Sequence, residues 1–330
     1  MRILITGCAG FIGSAASRHF SSNNDHIILG IDNLSYAANL NSISDIVEQD
    51  NFSFKKFDIR DKNLFSLIYE FKPNIILHFA AESHVDNSIE SPDIFIDTNI
   101  FGSYNLLKAC TKYFADLTKE KQNDFIYFHV STDEVYGDLS FDDQPFTEKN
   151  NYFPSSPYSA SKASSDLLSL AWLRTFSLPV IIGNCSNNYG PFQNKEKFIP
   201  KVIYNCINNI NIPVYGDGKQ IRDWLYVEDH ILAIEKIIYL KEIGEKYNIG
   251  GNNEYKNLDV IKIIMQKLKD RGISNMKSML ELIDYVDDRL GHDKRYAIDS
   301  SKLMKKGWMP INDFESGISK TIDWYLNDLS

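Results

Sequence analysis

The chain has 330 residues, of which 43% are hydrophobic, and its formal net charge is -9. A chain of this size can bury one large core or two smaller ones, so we expect a globular protein. The acidic balance argues against a protein that coats nucleic acid or binds an anionic membrane surface.

The four cysteines, Cys8, Cys110, Cys185 and Cys206, form neither a CxxC motif nor a His-rich ligand pattern. This scatter predicts reduced thiols, with neither a disulfide framework nor a metal site. The N-terminus enters a strand at once, without the layout of a signal peptide, and no apolar run is long enough to span a bilayer. We therefore expect a cytoplasmic protein.

The first predicted element is a short apolar strand at residues 2–6. A turn with Gly7, Gly10 and Gly13 connects it to a helix that ends near residue 20. Glycines at this spacing let the backbone approach a pyrophosphate, whose charge is met by amide groups at the helix N-terminus. The order of strand, glycines, helix and second strand predicts a dinucleotide site.

The second strand, residues 26–31, is followed by Asp32. A carboxylate at this place accepts hydrogen bonds from the adenosine ribose and would repel a 2′-phosphate, so NAD is predicted rather than NADP. The next strand, 52–57, is followed by Asp58, which could contact the adenine amino group or cap the helix predicted after it, at 62–71.

Strand 75–79 contains His78, which we expect to be a hydrogen-bonded histidine of the core. The small residues at 80–81 would let the middle of the cofactor lie against the backbone. A long amphipathic helix is predicted next, at about 92–118.

The strand at 125–130 ends in hydroxyl and carboxyl side chains, Ser131, Thr132, Asp133 and Glu134. Ligands of open α/β sheets bind beyond the carboxyl ends of the strands, so this turn is a candidate for catalysis. The same residue types are also typical of a solvated turn or of a helix start, and the turn alone does not decide between these interpretations.

Tyr158 and Lys162 lie four residues apart on one face of a helix predicted at 156–176, after a start at 155–157. An ammonium group beside a phenol favours the phenolate, which predicts a Tyr general base with a lowered pKa. The alternative is an ordinary surface pair, and the preceding dinucleotide motif favours the catalytic interpretation.

Strands and helices alternate as far as the strand at 179–185, which predicts the α/β class and a Rossmann-type doubly wound parallel sheet. We expect an NAD-binding domain at 1–186 and a smaller C-terminal domain at 187–330, mainly for binding a nucleotide-sugar substrate. Later segments near 222–250 are expected to return to the first domain.

The second half has a looser pattern and contains two arginines that could grip a diphosphate, Arg222 and Arg289. Individually, each could instead form a surface salt bridge. The predicted elements are helices at 198–209, 228–240 and 258–270, a strand at 282–286 and two terminal helices.

The turn TGCAGFIG (6–13), together with Tyr158-x-x-x-Lys162, resembles the extended short-chain dehydrogenase/reductase family. Further stretches are similar to the nucleotide-sugar 4,6-dehydratases of that family: AAESHVDNSI (80–89), STDEVYGDL (131–139), PSSPYSASKASSD (154–166), NCSNNYGPFQ (184–193), GDGKQIRDWLYVEDH (216–230), YNIGGNNE (247–254) and DRLGHDKRYAID (288–299). Two residues depart from the family pattern. Cys8 replaces a usual glycine and is expected to crowd the pyrophosphate turn slightly, whereas Leu290 replaces a common proline and is expected to loosen the loop that carries Arg289.

The resemblance implies an NAD-dependent lyase whose substrate is dTDP-glucose. The implied catalytic residues are Thr132, Asp133, Glu134, Tyr158 and Lys162. The implied NAD contacts, which include the three glycines of the turn, are Gly7, Gly10, Phe11, Ile12, Gly13, Asp32, Asn33, Leu34, Ser35, Asp58, Ile59, Ala80, Ala81, Thr98, Tyr158, Lys162 and Asn188. The implied substrate contacts are Ser83, Thr132, Asn187, Lys197, Phe198, Pro213, Val214, Tyr215, Arg222, Asn257, Arg289 and His292.

In the implied reaction, Tyr158 removes the proton of the glucosyl O4 while the C4 hydride passes to NAD. Glu134 then removes the acidified C5 proton, and Asp133 protonates O6 as water leaves. The hydride returns to C6 and C5 is reprotonated, so no NAD is consumed. Thr132 would hydrogen-bond the 4-oxygen and Lys162 would orient the nicotinamide ribose. The carboxyl pair is expected to titrate as a coupled unit that retains one proton.

Three alternatives stay open at this stage. A nucleotide-sugar 4-epimerase needs Tyr158, Lys162 and NAD but no acid/base pair, so Asp133 and Glu134 favour the dehydratase. A 4,6-dehydratase for another nucleotide sugar and a non-enzymatic NAD-binding protein are the other two. The product of the dehydratase could lead to rhamnose or to amino sugars.

The resemblance also implies a homodimer formed through a four-helix bundle. The helices predicted at about 92–118 and 156–176 are apolar enough to cover more than the sheet. The alternative is that both helices pack only on the sheet.

Overall fold

The computed structural model describes residues 1–328. Its strands are β1 (Arg2–Thr6), β2 (Ile27–Asp32), β3 (Phe52–Lys56), β4 (Ile75–His78), β5 (Ile126–Thr132), β6 (Val180–Cys185), β7 (Asn187–Tyr189), β8 (Ile212–Tyr215), β9 (Ile221–Tyr226), β10 (Lys246–Ile249), β11 (Glu254–Lys256) and β12 (Ile283–Val286). Seven of them form one parallel sheet in the order β10-β6-β5-β4-β1-β2-β3.

The helices are α1 (Phe11–Ser21), α2 (Leu64–Phe71), α3 (Val85–Glu90), α4 (Pro92–Phe95), α5 (Ser103–Ala115), α6 (Lys119–Asp124), α7 (Pro157–Phe176), α8 (Phe198–Asn208), α9 (Val227–Leu240), α10 (Asn257–Asp270), α11 (Met279–Leu282), α12 (Ser301–Lys305) and α13 (Phe314–Asp328). Within residues 1–328, none of them combines the length and hydrophobicity needed to cross a membrane.

Helices cover both faces of the sheet, because alternate residues of each strand point to opposite sides. Ile3 and Ile5 of β1 pack into one core with α1 and α9, whereas Leu4 packs into the other with α2, α5 and α7. The predicted doubly wound parallel sheet is therefore confirmed.

The second half has its own core, built around α8, α10 and α13. Two small sheets accompany it, one of β11, β9 and β7 and one of β12 and β8. Other segments of the second half join the first: β10 pairs with β6, and α9 packs against α1. The cleft between the two halves lies beyond the carboxyl ends of the sheet strands.

The helix predicted at 92–118 is divided in the structure. A π-helical segment, Ile96–Gly102, separates α4 from α5. A π turn inserts an extra residue and changes which side chains face inward. Here Asn99 is buried, where it accepts a hydrogen bond from the Glu82 amide at 2.8 Å and donates one to Ser161 Oγ at 2.8 Å. The irregular segment thus ties the end of β4 to α7.

Candidate active site

The carboxyl ends of the central strands meet at one edge of the sheet, and the predicted site residues surround three adjoining cavities there. One cavity lies at Asp32 and Thr98, the second at Thr132 and Tyr158, and the third between the two halves of the chain. The expected NAD contacts line the first two cavities, except Leu34 and Asp58, and the expected substrate contacts line the last two.

The glycine turn leaves no room for a side chain at Gly7 or at Gly13. Gly7 has a φ of 71°, and a Cβ there would lie 2.8 Å from the Ala80 amide nitrogen. A Cβ on Gly13 would lie 2.0 Å from the Gly7 carbonyl oxygen. The backbone of α1 therefore approaches the turn as closely as a pyrophosphate cradle requires.

Cys8 does not crowd the turn, so that expectation was wrong. Its side chain is fully buried in the core, and it faces the space that a Cβ on Gly30 would occupy, 2.7 Å from Cys8 Sγ. The thiol therefore points away from the cavity.

Asp32 ends β2, where its carboxylate accepts hydrogen bonds from the amides of Ala9 at 3.0 Å and Leu34 at 2.8 Å. Leu34 has a positive φ in this turn and does not line the cavity. Thr98, from the π segment, has a buried Oγ1 without a partner among the described residues. Such a hydroxyl is available to a ligand.

Asp58 does not cap the predicted helix, and its expected contact with the adenine amino group stays a prediction. Its carboxylate accepts hydrogen bonds from the guanidinium of Arg60 at 2.7 and 3.0 Å and from Asn33 Nδ2 at 3.2 Å, and it does not line the cavity. Helix α2 begins later, at Leu64, after Asn63. The sequence could not show this arrangement, because the Asn33 contact joins two different strand ends.

The Ser131–Glu134 turn is ordered by its own side chains. Thr132 precedes a 3₁₀ turn, Asp133–Tyr136, where its Oγ1 accepts a hydrogen bond from the Glu134 amide at 3.3 Å and donates one to Asp133 Oδ1 at 3.2 Å. Asp133 is only 2% exposed, and its Oδ2 has no partner among the described residues. The turn is therefore a fixed part of the cavity wall, and a freely solvated turn is excluded.

The two carboxyl groups differ in their electrostatic surroundings. Burial, and then the charge of Glu134, raises the pKa of Asp133 well above its usual value. Burial also raises the pKa of Glu134, but Arg289, Arg222 and Lys197 oppose that rise. Of the two groups, Asp133 therefore holds a proton more firmly, and Glu134 ionises more readily.

Tyr158 and Lys162 lie on the inner face of α7, and both line the same cavity as the turn. Lys162 is 5% exposed and donates a hydrogen bond from Nζ to the Val130 carbonyl at 2.8 Å. The surface-pair interpretation is therefore wrong.

The direction of the Tyr158 pKa shift also differs from the expected lowering. Burial, and then the Glu134 carboxylate, raises this pKa well above the usual value. A hydrogen bond with Thr132 acts in the opposite direction. Burial outweighs a favourable neighbour here because a phenolate loses more hydration than a phenol does.

The cavity between the two halves contains both predicted arginines. Arg222 is buried, donates to the carbonyls of Ile221 at 2.8 Å and Asp293 at 2.9 Å, and lies 4.3 Å from the ring centre of Tyr296. Arg289 pairs with Asp86 at 3.3 Å. Arg222 is thus no surface residue, whereas Arg289 does form a salt bridge, with a residue of the other half.

Several residues of this cavity were not predicted: Asp86, His84, Glu196, Trp224 and Tyr296. Tyr296 donates to Asp293, and its hydroxyl lies 3.4 Å from Glu134 Oε2. Tyr296 and Glu134 are far apart in sequence, so no local pattern could have paired them. Leu290, next to Arg289, is 77% exposed.

Residues 4–321 match the family model described as GDP-mannose 4,6 dehydratase. A dTDP-glucose 4,6-dehydratase from Salmonella typhimurium is 52% identical over 336 residues, which cover 99% of this chain and 93% of that protein. A solved structure of dTDP-glucose 4,6-dehydratase from Bacillus anthracis in complex with NAD is 40% identical, with a TM-score of 0.87, and the match covers 99% and 97% of the two chains. A Streptomyces venezuelae dTDP-glucose 4,6-dehydratase with NAD and dTDP bound is 36% identical, with a TM-score of 0.89 and coverage of 99% and 98%.

Proposed function

Because the chain belongs to the extended short-chain dehydrogenase/reductase family, within the group that the GDP-mannose 4,6 dehydratase model describes, we propose that it is an NAD-dependent lyase. It removes water from dTDP-glucose and forms dTDP-4-keto-6-deoxy-glucose. The similarity of the whole chain to enzymes of that name supports this substrate.

The cofactor is NAD, and the residues present fit it. The backbone of the glycine turn is packed so closely that a Cβ on Gly7 or Gly13 would overlap other backbone atoms, as a pyrophosphate cradle requires. Asp32 lies where ribose hydroxyls are bound. When bound, NAD would supply the hydride acceptor for C4 and the hydride donor for C6, and the positive charge of its ring would favour ionisation of a nearby phenol. Lys162 is proposed to bind the nicotinamide ribose and Asn188 the nicotinamide region.

The observation that carries the dehydratase function is the pair of buried Asp133 and half-buried Glu134 in the same cavity as Tyr158. We assign the removal of the O4 proton to Tyr158 and the removal of the C5 proton to Glu134. Asp133, which holds a proton more firmly than Glu134, protonates O6 as water leaves, and C5 is reprotonated after the hydride reaches C6. Thr132 donates a hydrogen bond to the 4-oxygen. An epimerase needs no acid/base pair at C5 and C6, so this pair favours dehydration.

The substrate diphosphate is proposed to lie between Arg222 and Arg289, in the cavity between the two halves. The remaining substrate contacts are those that the sequence implied there. We also propose two domains. Residues 1–186, with returning segments near 222–250, bind NAD, and residues 187–330 mainly bind the nucleotide sugar.

Mass spectrometry of dTDP-glucose after incubation with the purified protein, without added cofactor, tests this function. Loss of one water from the sugar nucleotide is the expected result, because the hydride is recycled within the site. Conversion to the 4-epimer at unchanged mass would instead establish an epimerase. An unchanged substrate, even with NAD added, would contradict both activities on this nucleotide.

Replacement of Gly13 by Ala is expected to lower the bound NAD by at least tenfold, because the added Cβ cannot be placed 2.0 Å from the Gly7 oxygen without displacing the turn. NAD released from the denatured protein measures this effect. The matched control is Ser17→Ala in the same helix, which removes only a hydrogen bond to the Gly13 carbonyl. Equal NAD in the Gly13 variant and the control would contradict the proposed pyrophosphate cradle.

We further propose that the protein is a cytoplasmic homodimer. All four cysteines are buried and free, which supports a reducing compartment. Phe101 near α5 and Leu167 on α7 are 58% and 59% exposed, and these helices pack side by side through Tyr104 and Trp172. Exposed large apolar side chains on adjacent helices are typical of a protein–protein interface.

The dimer should have about twice the 37.9 kDa mass of the chain, as measured by light scattering. We expect the double variant Phe101→Glu and Leu167→Glu to be monomeric, because four charges would be buried at a two-fold interface. Tyr239→Glu, an exposed change on α9, is the control and should stay dimeric. A monomeric wild-type protein would contradict the proposal.

A further inference from the structure

Behind the proposed active site lies a carboxylate that has no role in the mechanism above. Asp166 is on α7, four residues after Lys162 and eight after Tyr158, so the three side chains share one face of the helix. It is completely buried. A buried acid is costly unless hydrogen bonds and opposite charge stabilise it.

Asp166 connects three elements of the site. Its Oδ2 accepts hydrogen bonds from Ser131 Oγ at 2.8 Å, Tyr152 OH at 2.9 Å and Asn184 Nδ2 at 3.2 Å. Ser131 begins the catalytic turn, and Asn184 also donates to the Thr132 carbonyl at 3.2 Å. Asp166 therefore fixes the turn from behind.

The other oxygen, Oδ1, lies 3.1 Å from His129 Nε2. Burial, followed by the charge of Lys162, lowers the pKa of His129, so this histidine is neutral. Although burial opposes ionisation of Asp166, the contacts with His129, Lys162 and Ser131 hold its pKa below the usual value. Asp166 is thus an anion whose closest ion-pair partner, among the described residues, carries no charge.

Lys162 is a buried amine, and burial disfavours its charged form. Burial lowers its pKa, and Asp166 is the largest influence in the opposite direction, followed by Cys185 on β6. From β5 and β4 it faces His129 and His78, both of which are buried and have lowered pKa values. The Cys185 thiol has a pKa raised to about 12 by burial, so it is uncharged at neutral pH.

On its other side, Asp166 faces Lys246 of β10, whose Nζ lies 4.7 Å from the ring centre of Tyr152. Tyr152 itself is a neutral phenol, because burial raises its pKa. Among the described residues around Lys162, Asp166 is therefore the one that is negatively charged at neutral pH.

We propose that Asp166 is a positioning residue for the dehydration: its negative charge keeps Lys162 an ammonium ion, and its hydrogen bonds hold the Ser131–Glu134 turn in place. This inference rests on the proposed function, in which Lys162 binds the nicotinamide ribose. Asp166 itself touches neither the substrate nor the cofactor cavity.

Two isosteric variants separate charge from packing. Asp166→Asn removes the charge and keeps one accepting oxygen, whereas Tyr152→Phe removes a hydrogen bond to the same carboxylate and keeps the charge. In the pH dependence of kcat, we expect Asp166→Asn to shift the alkaline limb about one unit toward lower pH, because Lys162 loses its proton earlier. Tyr152→Phe should leave the limb in place. An unshifted limb in a folded, NAD-loaded Asp166→Asn protein would overturn the inference.

A direct titration of Lys162 in the NAD-loaded protein does not depend on catalysis. The ¹³Cε signal of Lys162, assigned as the one missing from Lys162→Arg, should report an ammonium group at neutral pH in the wild type. In Asp166→Asn the titration should begin about one unit lower. A neutral amine in the wild type would overturn the inference even if Asp166→Asn does not fold. Absence of dehydration by the wild type would instead refute the proposed function, and the titration would still decide the charge of Lys162.

Discussion

Replacement of Glu134 by Gln is expected to stop the loss of water from dTDP-glucose while oxidation at C4 continues. Glutamine has nearly the same shape but cannot accept the C5 proton, whereas Tyr158 is unchanged. General acid–base catalysis typically accelerates a step by about 10²- to 10⁴-fold, so the dehydration rate should fall by that factor. The partial reaction should stop at the 4-keto sugar.

Two measurements on the same sample, mass spectrometry and ultraviolet absorbance, check this result. In the time in which the wild type converts its substrate, mass spectrometry should show at most a trace of product that has lost water, and the near-ultraviolet absorbance of the reduced nicotinamide should rise and persist. Asp142→Asn, an exposed change in the connection between β5 and α7, is the control and should behave like the wild type. Full dehydration by the Glu134 variant would rule out this residue as the base at C5.

The same assignment has a pH consequence. Burial raises the pKa of Glu134, so the carboxylate required for proton removal is lost at a higher pH than for a free glutamate, near 4.3. The acid limb of kcat/KM should therefore lie above that value. Removal of Lys197, Arg222 or Arg289 would raise this limb further, because each cation opposes the shift.

Replacement of Tyr158 by Phe is expected to block the reaction one step earlier. Without a phenol to accept the O4 proton, C4 is not oxidised, so neither the absorbance change nor the loss of water should occur. We expect a decrease in kcat of about 10³-fold or more, at the upper part of the range for a general base. The Phe ring keeps the packing against Phe95, whose ring centre lies 6.4 Å away.

The Tyr158 and Glu134 variants together test the order of the steps. A nicotinamide absorbance change in Tyr158→Phe as large as that in Glu134→Gln would show that another group removes the O4 proton. Tyr152→Phe, a change at a half-buried phenol that donates to Asp166 of the same helix, is the control for loss of a hydroxyl, and it should retain C4 oxidation.

The sequence by itself determined the parts of this site that depend on local spacing. Gly7, Gly10 and Gly13 between a strand and a helix indicate a dinucleotide cradle, and the close approach of Gly13 to the Gly7 carbonyl lies within that turn. Tyr158 and Lys162 share a helix face because they are four residues apart. The Ser131–Glu134 turn was placed at the edge of the sheet because a buried strand precedes it.

Only the tertiary structure decided the electrostatics and the long-range contacts. The Tyr158 pKa is raised, contrary to the sequence-based prediction, because the cavity removes water from the phenol. The Glu134 to Tyr296 approach and the position of Asp58 each join residues from different elements. The role of Asp166 likewise depends on its hydrogen bonds with Ser131 and Asn184, which belong to neighbouring strands. Burial and contacts between distant segments exist only once the chain has folded, so no pattern of adjacent residues could reveal them.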